Sequence, residues 1–307
     1  MDLEPRLHER SIPNPADGPT ERRLLSIILP ARNESAALDS LLEGVRIAQP
    51  DAEIVVVDDG STDDTAEIAR RHGVTLVRHP YSMGNGAAIK SGARAARGEI
   101  FVFMDADGQH DPADIARMLA KLDEGYDMVV GARDSSSQAS VGRGIANSFY
   151  NHFASWITGQ RITDLTSGFR AVRAAKFLQF LHLLPNGFSY PTTSTMAFFR
   201  SGYAVCYFPI KAHKRIGVSH IKLLRDGLRF LLIVFRVGTL YAPLKIFLPI
   251  SMSLFITGLC YYLYTFSIWG RFTNMSALLF IASLLIFLIG LVSEQITMLL
   301  YQKTDKD

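Results

Sequence analysis

The segment IFVFMDADGQHDP, residues 100–112, combines a short apolar run with a cluster of polar side chains directly after it. The apolar part, 100–104, is typical of a strand that is buried on both faces of a sheet. Asp105 and Asp107 leave the end of this strand two residues apart, and Pro112 is a residue that suits the first turn of a helix. The segment therefore predicts a buried strand, a polar loop and a helix, in that order.

The same alternation repeats over residues 24–133. Apolar runs at 24–29, 53–57, 74–78, 100–104 and 128–130 alternate with helical patterns near 36–48, 63–72, 86–97 and 112–123. This order is typical of an α/β protein with a mostly parallel sheet and helices on both faces. Ligands bind such sheets at the carboxyl ends of the strands, so the polar residues just after each strand are the candidates for function.

The cluster after the fourth strand has the chemistry of a cation site. Asp105, Asp107 and Gln109 offer hard oxygen ligands, which suit Mg²⁺ or Mn²⁺ held jointly with a substrate diphosphate. An Asp-x-Asp alone is also common in turns and helix caps. The preceding buried strand and the following helix favour the metal interpretation.

Each of two further polar clusters allows two interpretations. The run 58–61, Asp-Asp-Gly-Ser, is either a turn with a helix cap or a place where a carboxylate accepts hydrogen bonds from a base or ribose. Gly84-Asn85-Gly86 is either a plain loop or a helix start whose exposed amides suit a phosphate.

Composition separates the chain into two parts. Its 307 residues are 48% hydrophobic and 20% charged, with a net charge of +3. This apolar content excludes general disorder, and the balanced charge argues against a nucleic-acid partner. Between Lys245 and Glu294 the only charged residue is Arg271.

That interval predicts a membrane hairpin. The stretches 246–269 and 275–293 are each near the length that spans a bilayer, and the break 270–274 is short and polar. The alternative is a pair of buried helices in a soluble core. Basic residues cluster before the first stretch and after the second, so the positive-inside rule places both termini and the polar domain in the cytoplasm.

The remaining segments complete the predicted organisation. Residues 1–22 have no apolar run and are expected to be a flexible tail without a secretory signal. Residues 219–237 have the pattern of an amphipathic helix with a basic stripe, which suits either the cytoplasmic leaflet or a core-packing role. Cys206 lies in the polar part and Cys260 in an apolar stretch, so no structural disulfide is expected. The predicted divisions are a tail at 1–22, a catalytic domain at 23–218, a juxtamembrane helix at 219–237 and a hairpin at 246–301.

Together with the run 30–34, Pro-Ala-Arg-Asn-Glu after the first strand, the three polar clusters resemble family 2 glycosyltransferases of the GT-A fold, in particular the dolichyl- and polyprenyl-phosphate mannose and glucose synthases. The runs 131–133, 164–170 and 215–219 add to this resemblance, which covers about 24–236, and the terminal hairpin is similar to that of bacterial polyprenyl-phosphate glycosyltransferases. Three positions depart from the residues common in the family: Arg32 stands in place of an aromatic residue, and Asn85 and His220 each stand in place of a lysine.

The resemblance implies a set of roles. The residues it places around the nucleotide are Pro30, Arg32, Glu34, Asp58, Asp59 and, less strongly, Lys90. Asp105, Asp107 and Gln109 would hold Mg²⁺ or Mn²⁺ and the diphosphate. The acceptor phosphate would be surrounded by Arg133, Arg143, Ser167 and Arg170, with Lys214 or Arg215 as a phosphate clamp. Asp164 is expected to orient this group rather than act as a base.

The reaction implied is inverting transfer of a hexose from a GDP- or UDP-sugar to a polyprenyl phosphate at the membrane. An ionised phosphate acceptor is already nucleophilic, so positioning and charge stabilisation matter more than a general base. The sequence leaves open whether the protein forms a homo-oligomer.

One rival function is that of a processive polysaccharide synthase, but the only tryptophans, Trp156 and Trp269, lie outside a Gln-x-x-Arg-Trp motif. Another is a non-catalytic nucleotide-sugar-binding membrane protein. A dinucleotide oxidoreductase is excluded, because no Gly-x-Gly-x-x-Gly follows the first strand.

Overall fold

The computed structural model describes residues 24–133, 141–187, 189–211, 235 and 238–302. Within this part, the side chains of 141–147, 149 and 300–302 are not described. The predicted tail at 1–22, Lys214, Arg215 and nearly all of the predicted helix at 219–237 lie outside the described residues, as does the side chain of Arg143.

Seven strands form one sheet. They are β1 (Leu25–Ala31), β2 (Glu53–Asp58), β3 (Thr75–Arg78), β4 (Ile100–Phe103), β5 (Met128–Arg133), β6 (Arg170–Arg173) and β7 (Val205–Ile210). The first five are the strands predicted from the apolar runs. The sequence analysis did not predict β6 or β7, because one is short and charged at both ends and the other is only partly buried.

Helices whose bounds are defined accompany the strands. They are α1 (Ser35–Ala48), α2 (Thr65–Arg71), α3 (Asn85–Ala95), α4 (Asp114–Asp123), α5 (Val141–Thr158), α6 (Ala174–Leu178), α7 (Tyr190–Arg200), α8 (Pro243–Trp269) and α9 (Asn274–Gln302). The first four confirm the helices predicted at 36–48, 63–72, 86–97 and 112–123, with ends that differ by one or two residues.

The strand order in the sheet is β3-β2-β1-β4-β6-β5-β7. β1 pairs in parallel with β2 and β4, while β6 runs antiparallel to both of its neighbours, β4 and β5. The predicted mostly parallel sheet is therefore confirmed. One reversed strand is inserted between its two halves.

Helices cover both faces of the sheet, as predicted. Successive residues of β1 alternate between two cores, with Ile27 and Leu29 on one side and Ile28 on the other. The first core is closed by apolar residues of α1, α2 and α4, and the second by residues of α3, α5, α6 and α7. Burial on both faces explains why these strands are almost continuously apolar.

The sheet brings distant polar residues to one edge. Parallel β1, β2, β4 and β5 all end there, and antiparallel β6 begins there. In the register, Phe103 at the end of β4 lies opposite Arg170 at the start of β6. The loop before β6 is consequently placed beside Asp105, although the two are far apart in sequence.

The two C-terminal helices form an antiparallel pair with a polar contact inside it. The hydroxyl of Ser251 on α8 donates to the backbone oxygen of Ser283 on α9, and the Ser283 hydroxyl donates to the Ser251 oxygen. Both helices are long and apolar enough to cross a membrane, and only 17% of the most apolar part of each is buried. This exposure contradicts the alternative of core helices in a soluble protein. The second helix continues past the uncharged stretch 275–293 to Gln302, and Glu294 in this continuation forms an ion pair with Arg200.

Candidate active site

Asp105 and Asp107 lie just beyond the end of β4, at the centre of the polar sheet edge. The side chain of Asp105 is about one third exposed (35%), whereas Asp107 is buried. The backbone N–H of Gln109 donates to Oδ1 of Asp107 at 3.2 Å, which holds the loop in a tight turn. Two carboxylates and one amide are therefore brought together on one short loop, as predicted.

Asp105 is surrounded by groups from its own loop and from distant parts of the chain. Nε2 of His110 lies 3.9 Å from its Oδ2, and the buried His110 ring stacks on Phe169 at a centroid distance of 4.9 Å. Burial acts to raise the pKa of the Asp105 carboxyl, but the proximity of His110 and Arg133 and a contact from the Asn85 side chain lower it. Asp105 is thus held as a carboxylate, the form that binds a cation.

These donors fit a divalent ion bound together with a diphosphate. Within the described residues, no group of three or more His, Cys, Asp and Glu side chains could hold a metal by itself. Asp105, Asp107 and Gln109 supply hard oxygens but leave coordination positions for water and phosphate oxygens. Mg²⁺ and chemically similar ions are commonly bound in this way at phosphate-transfer sites.

The predicted nucleotide residues lie at the ends of β1 and β2. Pro30 is buried within β1, whereas Arg32 is exposed and Glu34 half-buried in the loop that follows. The buried carboxylate of Asp58 accepts a hydrogen bond from the Ser61 amide at 2.8 Å and lies 3.1 Å from Nε of Arg78. The Asn33 amide donates to the Ser61 hydroxyl at 3.0 Å and the Thr62 amide to Oδ1 of Asn33 at 2.9 Å, so the β1–α1 and β2–α2 loops form one surface at this end of the sheet.

Asp59 has a different environment from Asp58. Its carboxylate contacts the His79 ring at 2.7 Å, and it accepts hydrogen bonds from the Ser82 hydroxyl and from the amides of Met83 and Gly84. Burial acts to raise the pKa of Asp59, but these hydrogen bonds lower it. The carboxylate therefore organises the loop after β3 with both of its oxygens, and its predicted contact with the nucleotide stays a prediction.

At the start of α3, two backbone amides are hydrogen-bonded to another segment of the chain. The amide of Gly86 donates to the Gly187 oxygen and that of Ala87 to the Asn186 oxygen, both at 3.1 Å. The interpretation of this helix start as a phosphate site is wrong, since these amides already have partners.

Lys90 also contacts this segment. Its Nζ donates to the Leu184 oxygen at 3.1 Å and to Oδ1 of Asn186 at 2.5 Å. Burial and the nearby charge of Arg94 lower the pKa of Lys90. The structure therefore ties Lys90 to residues 184–186 and not to the nucleotide residues, which corrects its predicted placement.

Arg133 and Asp164 form a bidentate ion pair beside the acidic loop. Nε of Arg133 lies 2.9 Å from Oδ2 of Asp164 and Nη2 lies 3.1 Å from Oδ1, while Nη2 also donates to the Thr166 hydroxyl. Burial acts to lower the pKa of Arg133, but Asp164 raises it. Burial likewise acts to raise the pKa of Asp164, and Arg133 lowers it. The pair keeps both charges and fixes a guanidinium that remains one third exposed (33%) at the sheet edge. This geometry agrees with an orienting role for Asp164.

Arg170 is directed into the core of the protein and not towards the expected position of the acceptor phosphate. Its side chain is fully buried (0% exposed), and Nη1 donates to the Pro191 oxygen and to the hydroxyls of Ser194 and Thr195. Nη2 donates to the backbone oxygen of Ser167. Burial lowers the pKa of Arg170. In this conformation it supports the loop before β6 from inside and is not available to an acceptor phosphate.

The loop supported by Arg170 carries two residues that matter for the site. The hydroxyl of Ser167 is buried and has no hydrogen-bond partner among the described residues. Gly168 approaches Asp105 so closely that a Cβ at this position would lie 2.7 Å from Oδ2. The Gly168 oxygen accepts a hydrogen bond from the Tyr190 hydroxyl at 3.2 Å.

Sequence reasoning assigned no role to His110, Gly168 or Tyr190. His110 was visible within the acidic motif, but its stacking on Phe169 joins segments that only the sheet brings together. Gly168 and Tyr190 have no periodic or compositional signal, since their importance lies in contacts across the fold.

Two family descriptions match the chain. Residues 26–181 match Glycosyl transferase family 2, and residues 242–299 match the GtrB C-terminal hairpin. The first match includes β1 to β6 and the acidic loop, and the second includes both apolar helices. The hairpin match and the exposed apolar helices together give the chain a membrane anchor.

Relatives of several kinds are found. The chain is 29% identical to glycosyltransferase AglJ of Haloferax volcanii over 88% of this chain and 92% of that protein. It is 35% identical to uncharacterized protein MJ1222 of Methanocaldococcus jannaschii over 47% of this chain and 63% of the relative. It is 33% identical to an undecaprenyl-phosphate 4-deoxy-4-formamido-L-arabinose transferase of Aeromonas hydrophila, over half of each chain.

A solved structure supports the fold. Glucosyl-3-phosphoglycerate synthase from Mycobacterium tuberculosis, in complex with Mn²⁺, UDP-glucose and phosphoglyceric acid, superposes with a TM-score of 0.59. The two are 21% identical, over 71% of this chain and 80% of that one, so the likeness concerns the GT-A fold alone. With the match over 26–181, the chain belongs to glycosyl transferase family 2 and has a GT-A fold followed by a GtrB-type C-terminal hairpin.

Proposed function

We propose that this family 2 glycosyltransferase transfers a hexose, with inversion, from a GDP- or UDP-sugar to a polyprenyl phosphate in the membrane. The observation that carries the proposal is the sheet edge where the Asp105–Gln109 loop lies beside the ion pair of Arg133 and Asp164. A site for two phosphate-bearing substrates needs both features, carboxylates for a cation and a fixed guanidinium for an anion. The name of the undecaprenyl-phosphate arabinose transferase supports a lipid phosphate as acceptor, and the membrane hairpin would bring the site close to such a lipid.

Asp105, Asp107 and Gln109 would hold Mg²⁺ or Mn²⁺ against the diphosphate of the donor. A metal bound there supplies neutralisation of the charge that develops on the departing diphosphate. Asp58, with Pro30, Arg32 and Glu34, would line the nucleotide pocket at the ends of β1 and β2.

Arg133 would bind the acceptor phosphate. Asp164 engages its Nε and Nη2, which fixes the guanidinium, and Nη1, for which the described part of the chain supplies no hydrogen-bond partner, would contact the anion. Ser167 lies at the same edge, and Arg143, Lys214 and Arg215 are proposed as further contacts from the parts of the chain that the structure does not describe. A phosphate monoester is ionised near neutral pH, so the attack needs alignment more than proton removal.

The membrane orientation follows from charge. With both termini and residues 23–218 on the cytoplasmic side, the sheet edge would lie in the compartment that contains nucleotide sugars. The basic helix predicted at 219–237 would then lie on the anionic leaflet.

One assay tests the reaction. Membranes containing the protein would be incubated with undecaprenyl phosphate and a panel of labelled nucleotide sugars, including hexoses and an amino-pentose, and the lipid product identified by mass spectrometry. We expect one hexosyl phosphate lipid. A pentosyl product would contradict the hexose, a growing polysaccharide would favour the processive synthase, and no glycolipid with any donor would contradict the proposed function.

A further inference from the structure

An ion pair joins the catalytic domain to the membrane hairpin. Nη2 of Arg200, the last residue of α7, lies 3.2 Å from Oε1 of Glu294 on α9. Both side chains are mostly buried, at 22% and 17% exposure. The second carboxylate oxygen of Glu294 accepts a hydrogen bond from the Leu244 amide in the first turn of α8, at 3.3 Å. One carboxylate thus connects three helices.

Glu294 is an unusual residue for its surroundings. It is the only acidic residue between Asp226 and Asp305, and it lies in a helix that is otherwise apolar over most of its length. A carboxylate in such a helix is costly unless it is paired, and Arg200 supplies the opposite charge.

Polar contacts add to the apolar packing around this pair, where Ile246 of α8 is buried in the core of the catalytic domain. Nζ of Lys245 donates to the Ile157 oxygen at the end of α5 at 2.8 Å, and the Tyr241 hydroxyl donates to the Thr193 oxygen of α7. Between these contacts lies a cavity of about 560 Å³, with Arg200, Lys245 and Glu294 in its lining. Because hydrogen bonds are directional, these contacts favour one orientation of the hairpin in addition to the apolar packing.

α7 connects the hairpin contact at its last residue with the proposed active site at its first turn. Every residue from Tyr190 to Phe198 is buried, so the helix is fixed in the catalytic domain. Its first turn binds the loop beside Asp105, through Tyr190 to the Gly168 oxygen and through the Pro191 oxygen to Arg170. The helix that forms the ion pair with the membrane hairpin is thus also the helix that supports the loop beside Asp105.

We propose that Arg200 and Glu294 are positioning residues, which set the angle of the catalytic domain on the hairpin so that the sheet edge meets an acceptor phosphate at the bilayer surface. This inference rests on the proposed function. It concerns the presentation of a membrane-bound acceptor and leaves the donor site unchanged.

The test compares two acceptors in nanodisc-embedded protein: undecaprenyl phosphate in the bilayer and a short, water-soluble isoprenyl phosphate. For Arg200→Glu and Glu294→Gln we expect kcat with the bilayer acceptor to fall about tenfold. The KM for the nucleotide sugar and the turnover of the soluble acceptor should not change. The double variant Arg200→Glu/Glu294→Arg should recover most of the loss, although it lacks the contact to the Leu244 amide. Lys121→Glu, the same charge reversal at an exposed pair distant in the fold, is the matched control.

Each outcome bears on the inference. Single variants that keep full turnover of the bilayer acceptor would overturn it. So would an equal loss with both acceptors and no recovery in the double variant, which would indicate general destabilisation. A wild-type protein that forms no glycolipid would overturn the proposed function, and this inference with it.

Discussion

Asp105 depends on residues that are far from it in the sequence. Its carboxylate lies next to His110 on its own loop, near Arg133 from the end of β5 and against the backbone of Gly168. These neighbours hold it ionised and limit its rotation. The geometry of the proposed cation site therefore depends on the loop before β6 as much as on the acidic motif itself.

Replacing Gly168 tests this dependence. In Gly168→Ala the new Cβ would lie 2.7 Å from Oδ2 of Asp105, so the carboxylate must turn away. Because a side-chain end can move at small cost, we expect stability to change by only about 1 kcal/mol. Mn²⁺ affinity in the presence of UDP, measured by electron paramagnetic resonance, should fall about tenfold.

Gly187→Ala is the matched control, since nothing lies within 4 Å of the Cβ it would add. Equal Mn²⁺ affinity in the two variants and the wild type would show that Gly168 does not define the Asp105 position.

The sequence motifs indicated which residue types lie at the sheet edge, but not which groups their side chains contact. The acidic loop and the Arg133–Asp164 neighbourhood are where the motifs predicted them. Arg170 and Lys90 are not, because a motif specifies a position in the chain but not the direction in which a long side chain extends. Arg170 is directed into the core by the hydroxyls of α7, and Lys90 towards residues 184–186.

At the scale of elements, the strands and helices up to β5 were predictable because each has a strong apolar pattern. β6 was not, since a strand of four residues with arginine at both ends has no such pattern. It forms because its backbone pairs with β4 and β5 on both sides. Its reversed direction is what places residues 167–169 at the catalytic edge.

The start of α3 provides a test at this scale. In Gly86→Ala the Cβ would lie 2.0 Å from the Pro185 oxygen and 2.8 Å from the Gly187 oxygen, and backbone atoms cannot move aside easily. We expect a loss of about 3 kcal/mol in the free energy of unfolding, measured by denaturant titration in detergent. The same Gly187→Ala variant on the other side of this contact should lose little. An unchanged stability of Gly86→Ala would mean that α3 does not dock there.

At the scale of the whole molecule, a charged α/β domain is joined to an apolar hairpin. The two parts were separable in the sequence because charge is nearly absent between Lys245 and Glu294. Their mutual orientation was not predictable, since it depends on contacts such as that of Arg200 with Glu294.

The proposed topology places the loop between α8 and α9 outside the cytoplasm. In a background with Cys206 and Cys260 replaced by serine, Asn274→Cys should react with an impermeant maleimide in intact cells. Ile47→Cys, an exposed position on the catalytic domain, should react only after permeabilisation. The reverse pattern would contradict the topology.

The central claim is that the Asp105–Gln109 loop carries out metal-assisted transfer of a sugar to a lipid phosphate. The most direct measurement is the initial rate of glycolipid formation by Asp107→Asn in nanodiscs with Mn²⁺, beside a wild-type sample of equal circular dichroism. We predict a folded protein whose rate is lower by about a thousandfold or more, because the exchange removes a charged ligand and leaves the shape of the side chain. A rate within about twofold of the wild type would contradict the claim.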